Sequence, residues 1–387
     1  MILIMILCLC LASSYRVNGT RIISKEEDLE LERQLKLINK PPIKSIQTEF
    51  GHIVDCIDIN KQLAFDHPLL KDHKIQRIPQ FSLRTTKNIS SAYARPSMIG
   101  LKDPCPLGTV PIRRTTKEDL IAIRSLSNNI HPQSATNPGV YNAAIQMKKQ
   151  ARIIPSYTGV QGHVNVYNPQ VKKGNSAAQI YIMNGPEENL NIISTGWMVS
   201  PDIFHDPYTH FFTVWTIDGY KKTGCYNTNC PGFVQIDRRN YPGIPITNVS
   251  IPDENQFEIA FSIDKEEDGN WWVSFDHILI GYFPATLFNN FSEPEAVGWG
   301  GVVVNPPNGI SPPMGSGLFP DGNYKHVGSF RQIQYRDNTG KLNVPQDLLY
   351  DIIIDNKSCY DLKNDGYQGE YMGYAFEFGG PGGQCRN

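Results

Sequence analysis

The chain has 387 residues with a formal net charge of −2 at neutral pH, and 40% of its residues are hydrophobic. That length and hydrophobic content can bury the core of one large domain or two ordinary domains. The near-neutral charge, without a long basic run, argues against nucleic acid as the main partner. The 32 glycines and 28 prolines, many of them among aromatic residues, favour numerous short strands and turns.

Residues 1–19 predict a signal peptide. The apolar run MILIMILCLCLA is too short to span a bilayer, and small residues after it offer cleavage behind Ser14 or Gly19. No later stretch could cross a membrane, so we expect a protein that is secreted to the extracellular space or cell wall, with no membrane partner. Four sequons agree with secretion as candidate glycosylation sites: Asn88, Asn248, Asn290 and Asn356.

Residues 20–135 predict a small α+β module. Ser24 and Glu27 form a capping-box pattern ahead of an amphipathic helix that two prolines stop. Residues 53–59 have the composition of a strand, and an extended segment, residues 105–114, comes before a second capping box.

A second helix begins within residues 115–119, and its apolar positions continue through Ile123. The polar stretch at residues 125–141 then predicts a linker.

Residues 145–387 predict an antiparallel β-sandwich, which makes the protein mainly β. Short β-branched and aromatic runs alternate with turn residues, as is typical of sandwiches and barrels. The candidate strands are residues 164–167, 178–183, 196–199, 211–216, 232–236, 257–263, 271–275, 278–282, 302–304 and 351–354.

Six cysteines remain after removal of the predicted signal peptide, and an even number suits an oxidising compartment. No histidine stands at zinc-ligand spacing from the pair that is separated by four residues, so that pair favours a small disulfide-closed loop. We expect bridges between Cys56 and Cys105, between Cys225 and Cys230, and between Cys359 and Cys385.

The common catalytic and cofactor motifs are missing. The sequence contains no G-x-S-x-G, no H-E-x-x-H, no Walker A loop, and no dinucleotide fingerprint between a strand and a helix. We therefore expect no cofactor and no metal. A protonated and an ionised carboxyl group facing each other could still perform acid–base hydrolysis.

The segment CPLGTVPIRR at residues 105–114, with the capping box after it, resembles the activation-peptide signature of the neprosin family, secreted plant glutamic endopeptidases that cleave next to proline. Matches continue in the same order over nearly the whole chain. They are VYNPQV at 166–171, GWMVSP at 196–201, FTVWTIDGY at 212–220, TGCYN at 223–227, CPGFVQ at 230–235, GNWW at 269–272, GYFP at 281–284, WGG at 299–301, MGSG at 314–317 and GGPG at 379–382.

The resemblance implies a propeptide, a β-sandwich and a catalytic pair of glutamates. One glutamate of the family lies two positions before Gly-Trp, where this chain has Ser194, and the other directly follows Trp-Gly-Gly, where it has Val302. A related acidic position before Trp-Gly-Gly is Gly298. Because neither serine nor valine can perform the acid–base steps, we expect negligible peptidase activity by the family mechanism.

Two hypotheses follow. The first is a catalytically degenerate, monomeric binding protein for an extended proline-containing peptide or a glycosylated cell-wall polymer. Its cleft would have aromatic walls, although the tryptophans among the candidates are at least as common in cores: Trp197, Trp215, Tyr220 and Trp299. The second is an active acid prolyl endopeptidase that uses displaced carboxylates, with Glu188 and Glu295 as the candidates.

Overall fold

The computed structural model describes residues 24–76, 100–127, 139–149, 154, 156–186, 189–289, 291–306, 309–346 and 349–385. Among those residues, no helix combines the length and the apolar character that a membrane span requires. Several predictions lie outside the described residues: the signal peptide and the candidates Asn88, Glu188 and Asn290.

Among its described residues the N-terminal module has two α-helices, and side chains cap both of them as the sequence predicts. Helix α1 (Lys25–Ile38) begins after Ser24, whose hydroxyl accepts a hydrogen bond from the Glu27 amide at 3.1 Å. Helix α2 (Lys117–Ser127) begins with a reciprocal box in which Thr116 and Asp119 each bond the backbone amide of the other. These bonds satisfy amides that have no partner within the helices.

The described residues of the module also form a three-stranded antiparallel sheet, in the order β1-β2-β3. Its strands are β1 (Lys44–Gln47), β2 (Ile53–Asp58) and β3 (Thr109–Arg113).

The rest of the chain folds into two antiparallel sheets that pack face to face, which confirms the predicted mainly β sandwich. The strands are β4 (Val140–Lys148), β5 (Tyr157–Asn165), β6 (Asn175–Asn184), β7 (Asn191–Val199), β8 (Thr209–Thr216), β9 (Cys225–Tyr226), β10 (Val234–Gln235), β11 (Glu258–Lys265), β12 (Trp271–Phe275), β13 (Ile278–Phe283), β14 (Ala296–Val304), β15 (Gly328–Asp337), β16 (Leu342–Asn343), β17 (Tyr350–Ile354), β18 (Asp361–Tyr367) and β19 (Tyr374–Gly379).

The seven-stranded sheet has the order β17-β4-β14-β6-β7-β8-β9. The nine-stranded sheet has the order β10-β13-β12-β11-β5-β15-β19-β18, with β16 paired to β15. Because side chains alternate along a strand, every strand of the seven-stranded sheet presents one face to the core between the sheets and one face outward. We call the second of these the outer face.

Two short helices connect strands: α3 (Pro201–Phe204) before β8, and α4 (Gly369–Met372) before β19. The predicted linker, residues 125–141, is wrong at both ends, because α2 continues to Ser127 and β4 begins at Val140. Val140 also lies ahead of residue 145, where the sandwich was expected to begin. The first eight residues of β4 are buried, since its small and apolar side chains lie between two neighbouring strands.

All three expected disulfide bridges are present. The Cα–Cα distances are 5.5 Å for Cys56–Cys105, 6.0 Å for Cys225–Cys230 and 5.8 Å for Cys359–Cys385. The first lies within the N-terminal module and the other two lie within the sandwich. The two parts of the described chain are therefore not joined by a disulfide.

Candidate functional site

Ser194 and Val302 both lie on the outer face of the seven-stranded sheet, but they are not neighbours. Ser194 on β7 pairs with Tyr181 of β6, whereas Val302 on β14 pairs with Ala177 of β6. Four residues along β6 correspond to about 13 Å, and two strand spacings add about 10 Å across the sheet. Glutamates at these two positions would not face each other across one water molecule.

Gly298 is the position on β14 that lies level with Ser194. Both residues pair with Tyr181, from opposite sides of β6. Their backbones are therefore about 10 Å apart, two strand spacings, which is a separation that two acidic side chains could bridge. The resemblance implies acidic residues at two positions of β14, those of Gly298 and Val302. The strand geometry favours the position of Gly298 as the partner of the Ser194 position.

The side chain of Tyr181 fills the space above Gly298. A Cβ atom at residue 298 would lie 2.3 Å from Cζ of Tyr181. The Tyr181 hydroxyl reaches past this glycine and donates to Oε1 of Gln146 at 3.0 Å. Burial raises the pKa of Tyr181 above its ordinary value, with a smaller contribution from Asp355, so the phenol remains a neutral donor.

Ser194 is fully buried, and its hydroxyl donates to Oε1 of Gln179 at 2.6 Å. The acceptor is the side-chain amide of Gln179, which does not take up a proton under ordinary conditions. The hydroxyl is therefore held in a neutral hydrogen bond, with no base to activate it there.

Val302 belongs to a hydrophobic cluster on the outer face, with Met198, Phe212 and Val214 among its members. A cavity next to this cluster is lined by Asn175, Ala177, Gln179, Met198, Phe212, Val214, Tyr220, Tyr226, Val302 and Val304. None of these described lining residues carries a carboxylate. Apolar packing thus occupies the position at which the resemblance implies a glutamate.

Two polar atoms at this cavity are buried without a hydrogen-bond partner: Nδ2 of Asn175 and the hydroxyl of Tyr220. Asn175 is only 2% exposed. A buried donor without a partner costs roughly 1–3 kcal/mol. These two donors are consequently the groups that a hydrogen-bond acceptor entering the cavity would satisfy.

The expectation that tryptophans form cleft walls is wrong for all three candidates. Trp197, Trp215 and Trp299 belong to the main core and are at most 2% exposed. Trp197 and Trp299 donate from Nε1 to backbone carbonyls of β5 in the opposite sheet, at 3.0 Å and 2.8 Å. Strand alternation turns these residues inward, and only Tyr220 of the four aromatic candidates lines the cavity.

Glu295, a candidate substitute acid, lies far along the chain from Val302. It lies immediately before β14, where its carboxylate pairs with Lys149. Seven strand residues separate it from Val302, a distance of about 23 Å. Its carboxylate is therefore not close to Val302.

Asp355 is the carboxylate that sequence reasoning missed. Its Oδ2 accepts hydrogen bonds from both the backbone amide and Nδ2 of Asn142, each at 2.8 Å. Asn142 pairs with Val302, so Asp355 lies level with Val302 at the edge of the sheet. No motif marks this residue, because only the pairing of β17 with β4 brings it there.

The two described sequon asparagines differ in their surroundings. Asn248 is partly exposed, and a glycan there remains a prediction. Asn356 is 7% exposed, and its Oδ1 accepts hydrogen bonds from the amide and hydroxyl of Ser358. This burial argues against a glycan on Asn356.

Family models match most of the chain. The neprosin model matches residues 172–381, and the neprosin activation-peptide model matches residues 45–151. The chain belongs to the neprosin family. The activation-peptide match begins after α1 and covers the rest of the N-terminal module from residue 45, together with the first strand of the sandwich.

Similar solved structures include two glutamic peptidases. Scytalido-glutamic peptidase with a peptide-based transition-state analogue is 13% identical, with a TM-score of 0.36, over 62% of this chain and 98% of that chain. SCP-B, an eqolisin-family peptidase in complex with the tripeptide Ala-Ile-His, is 12% identical, with a TM-score of 0.35 and the same coverage. At these TM-scores the likeness carries no inference about activity.

Proposed function

We propose that this neprosin-family protein is secreted, lacks glutamic peptidase activity, and binds an extended extracellular polymer, either a proline-rich peptide or a glycosylated wall polymer. The proposal rests on the residues found at the three positions where the resemblance implies acidic side chains. Ser194 is held by Gln179, Gly298 lies under the Tyr181 ring, and Val302 is part of an apolar cluster.

Peptide hydrolysis by the family mechanism needs one carboxylate to take a proton from water and a second acidic group to assist the scissile amide. Loss of acid–base assistance costs on the order of 10²–10⁴-fold for each proton transfer. The groups near Ser194 are amide, hydroxyl and phenol, which polarise a ligand without exchanging protons at mildly acidic pH. That composition suits binding better than catalysis.

Binding would centre on the cavity beside Val302, whose volume of about 10 Å³ admits one polar group of the polymer, about the size of a water molecule. The unpaired donors of Asn175 and Tyr220 would bond carbonyl or hydroxyl oxygens of the polymer. The partly exposed Tyr226 ring beside the cavity would contact rings and aliphatic groups of the polymer. Proline-rich chains suit such contact, because their extended backbone leaves carbonyl groups free.

The test uses the secreted full chain and two kinds of ligand, a synthetic proline-rich peptide and its glycosylated form. We expect no cleavage of either between about pH 2 and 6, the range in which carboxyl groups titrate. We expect titration calorimetry to detect binding of at least one of them. Cleavage would overturn the loss of activity, and failure of both ligands to bind would overturn the binding role.

The variant Tyr220→Phe is expected to change ligand binding and folding stability in opposite directions. Removal of an unpaired buried hydroxyl is expected to raise the free energy of unfolding by roughly 1 kcal/mol and to weaken ligand binding several-fold. Tyr367→Phe is the matched control, because that tyrosine is 61% exposed. Unchanged affinity in the Tyr220 variant would exclude its hydroxyl from the site.

One observation favours the second hypothesis, an active acid endopeptidase. The carboxylate of Asp355 reaches the Asn142 side chain on the outer face, level with Val302. If the natural chain cleaves proline-containing peptides in acid, Asp355→Asn is expected to abolish the activity, whereas Asp351→Asn, at an exposed carboxylate of β17 that pairs with Lys148, leaves it intact. Cleavage that survives Asp355→Asn would exclude this residue.

A further inference from the structure

A second cavity lies at the end of the sandwich where the chain turns from β6 into β7. Its volume is about 470 Å³. Sites for small molecules commonly have volumes of roughly 300–1,000 Å³. The cavity beside Val302 has about 10 Å³, so the cavity at the β6–β7 turn is the one of these two with room for a whole ligand.

Three neighbouring strands form the floor of this cavity. Asn184 ends β6 and pairs with Asn191, which begins β7, and Ile217 directly follows β8. Trp197 of β7 points into the main core, and side chains alternate along a strand, so Asn191 faces the same way. The cavity therefore opens between the two sheets and not on the outer face.

The walls come from two connecting segments. Asn189 belongs to the turn between β6 and β7, and Asn289 belongs to the segment between β13 and β14. The Asn189 amide donates to the Pro186 carbonyl at 2.9 Å, and the Glu295 amide donates to the Met183 carbonyl at 3.0 Å. These backbone hydrogen bonds hold both walls to the end of β6.

The lining is polar, and its charge is compensated. Glu295 is the only charged side chain among the described lining residues, and it pairs with Lys149. Four asparagine amides provide most of the other polar groups, and each such amide has an acceptor oxygen and two donor hydrogens. Such a lining suits an uncharged ligand whose polar groups both donate and accept.

The side chain of Asn191 is a separate indication of a ligand. It is 5% exposed, and its Oδ1 is buried with no hydrogen-bond partner among the described residues. Its Nδ2 lies 3.4 Å from the Asn189 carbonyl oxygen, which is a long hydrogen bond. The torsion that turns a side-chain amide is soft, so a small rotation presents Oδ1 to a ligand that donates a hydrogen bond.

The need for a donor distinguishes between classes of ligand. Proline has no backbone N–H, so a proline-rich peptide offers few donors to Oδ1 of Asn191. A hydroxyl group donates one hydrogen bond and accepts others, as the asparagine amides require. A saccharide ring carries several hydroxyl groups on a compact, uncharged frame.

We propose that the cavity at the β6–β7 turn binds an uncharged saccharide unit, a neutral hexose or pentose. The amides of Asn189, Asn191 and Asn289 bond its hydroxyl groups, and Ile217 and Pro186 contact its C–H groups.

This saccharide site is separate from the cavity beside Val302. Ala177 at that cavity lies seven residues from Asn184 along β6, which corresponds to about 23 Å. The two cavities also open on different faces of the sheet. The inference therefore goes beyond the proposed polymer site and does not rest on it.

The test titrates the full chain with glucose, galactose, mannose, xylose and arabinose. The chain is produced without N-glycans, because the predicted glycosylation site Asn290 directly follows Asn289. We expect saturation-transfer NMR to detect at least one of the five sugars, with a dissociation constant on the order of millimolar. Failure of all five to bind would overturn the proposal.

Two competitors test the class of ligand. Calcium ions and an unglycosylated proline-rich peptide are each added to the bound sugar, and we expect neither to displace it. Displacement by either would assign the cavity to another class of ligand and overturn the proposal. A chain that binds the peptide but none of the sugars would overturn the saccharide site and leave the proposed polymer binding standing.

Variants of the lining locate the site. Asn191→Leu removes the amide at similar volume, and we expect the dissociation constant to rise at least tenfold without a lower thermal unfolding midpoint. Asn289→Ala, at an exposed residue, is expected to raise it several-fold. Asn248→Leu is the matched control, because Asn248 lies two residues from Ser250, which bonds the opposite end of β5. Unchanged affinity in both lining variants would contradict the assignment.

Discussion

Tyr181 and Gly298 show how one residue constrains its neighbour across a sheet. The phenol ring can lie between β6 and β4 only because residue 298 has no side chain. An acid at this position would have to displace a ring whose hydroxyl is bonded to Gln146. The absence of a side chain at residue 298 and the position of the Tyr181 ring therefore depend on each other.

Gly298→Ala tests this coupling. Because the new methyl group would overlap the Tyr181 ring, we expect the free energy of unfolding to fall by about 2 kcal/mol. In a Tyr181→Ala background the same change is expected to cost less than about 1 kcal/mol. Urea unfolding of the four proteins gives the interaction energy, and additive effects would mean that the ring moves away without cost.

Val302→Glu places a carboxylate in an apolar cluster that offers it no described cationic partner. We expect a loss of stability of about 3 kcal/mol or more, because the charge is removed from water without compensation. Val302→Thr is the control of similar shape and is expected to cost less. If the glutamate variant unfolds at the same urea concentration as the natural chain, the cavity is open to water.

At the scale of elements, the sequence was most informative where a pattern is local. The capping boxes placed helices α1 and α2, and the candidate strand at residues 257–263 corresponds to β11. Strand β4 was missed because its sequence, VYNAAIQMK, is rich in small residues and lies next to a polar segment. Local preference cannot reveal that such a strand is held between two neighbours.

The candidate site could be predicted only in part. Motif resemblance located Ser194, Gly298 and Val302, and the structure places all three on one face. Strand register depends on pairings between segments that are distant in sequence. It places Gly298 level with Ser194, and it brings Asp355 to the edge of the sheet. The direction in which the tryptophan side chains point is also set by the packing of the two sheets. The sequence alone therefore could not distinguish a tryptophan in a cleft wall from one in the core.

The lengths of the loops that the disulfides close lead to a prediction about the stability of the two parts of the chain. Cys56–Cys105 spans 49 residues and Cys225–Cys230 spans 5. In the chain-entropy model the longer bridge stabilises by about 4 kcal/mol and the shorter by about 2 kcal/mol. Replacing each pair by alanine should therefore destabilise the N-terminal module more than the sandwich, as measured by thermal unfolding, and the reverse order would contradict this account.

The whole molecule is expected to lose stability in strong acid, partly through Asp119. Its pKa falls from the usual 3.8 to about 2 in the folded chain. A lowered pKa contributes stability above about pH 4, and this contribution disappears as the pH falls through 2. The shift corresponds to about 2 kcal/mol.

Asp119→Asn should therefore flatten the decline in unfolding free energy between about pH 5 and pH 2. Asp351→Asn serves as the control, because that carboxylate is 57% exposed in its pair with Lys148. Parallel pH curves for the natural chain and the Asp119 variant would contradict the proposed contribution.

The placement of the disulfides also bears on how the protein matures. Each bridge joins cysteines from one contiguous part of the chain, so no thiol must wait for a partner in the other part. During synthesis from the N-terminus, Cys56 and Cys105 can pair before Cys225 has left the ribosome. The leading part can thus reach its oxidised form early and present a finished surface on which the later part assembles.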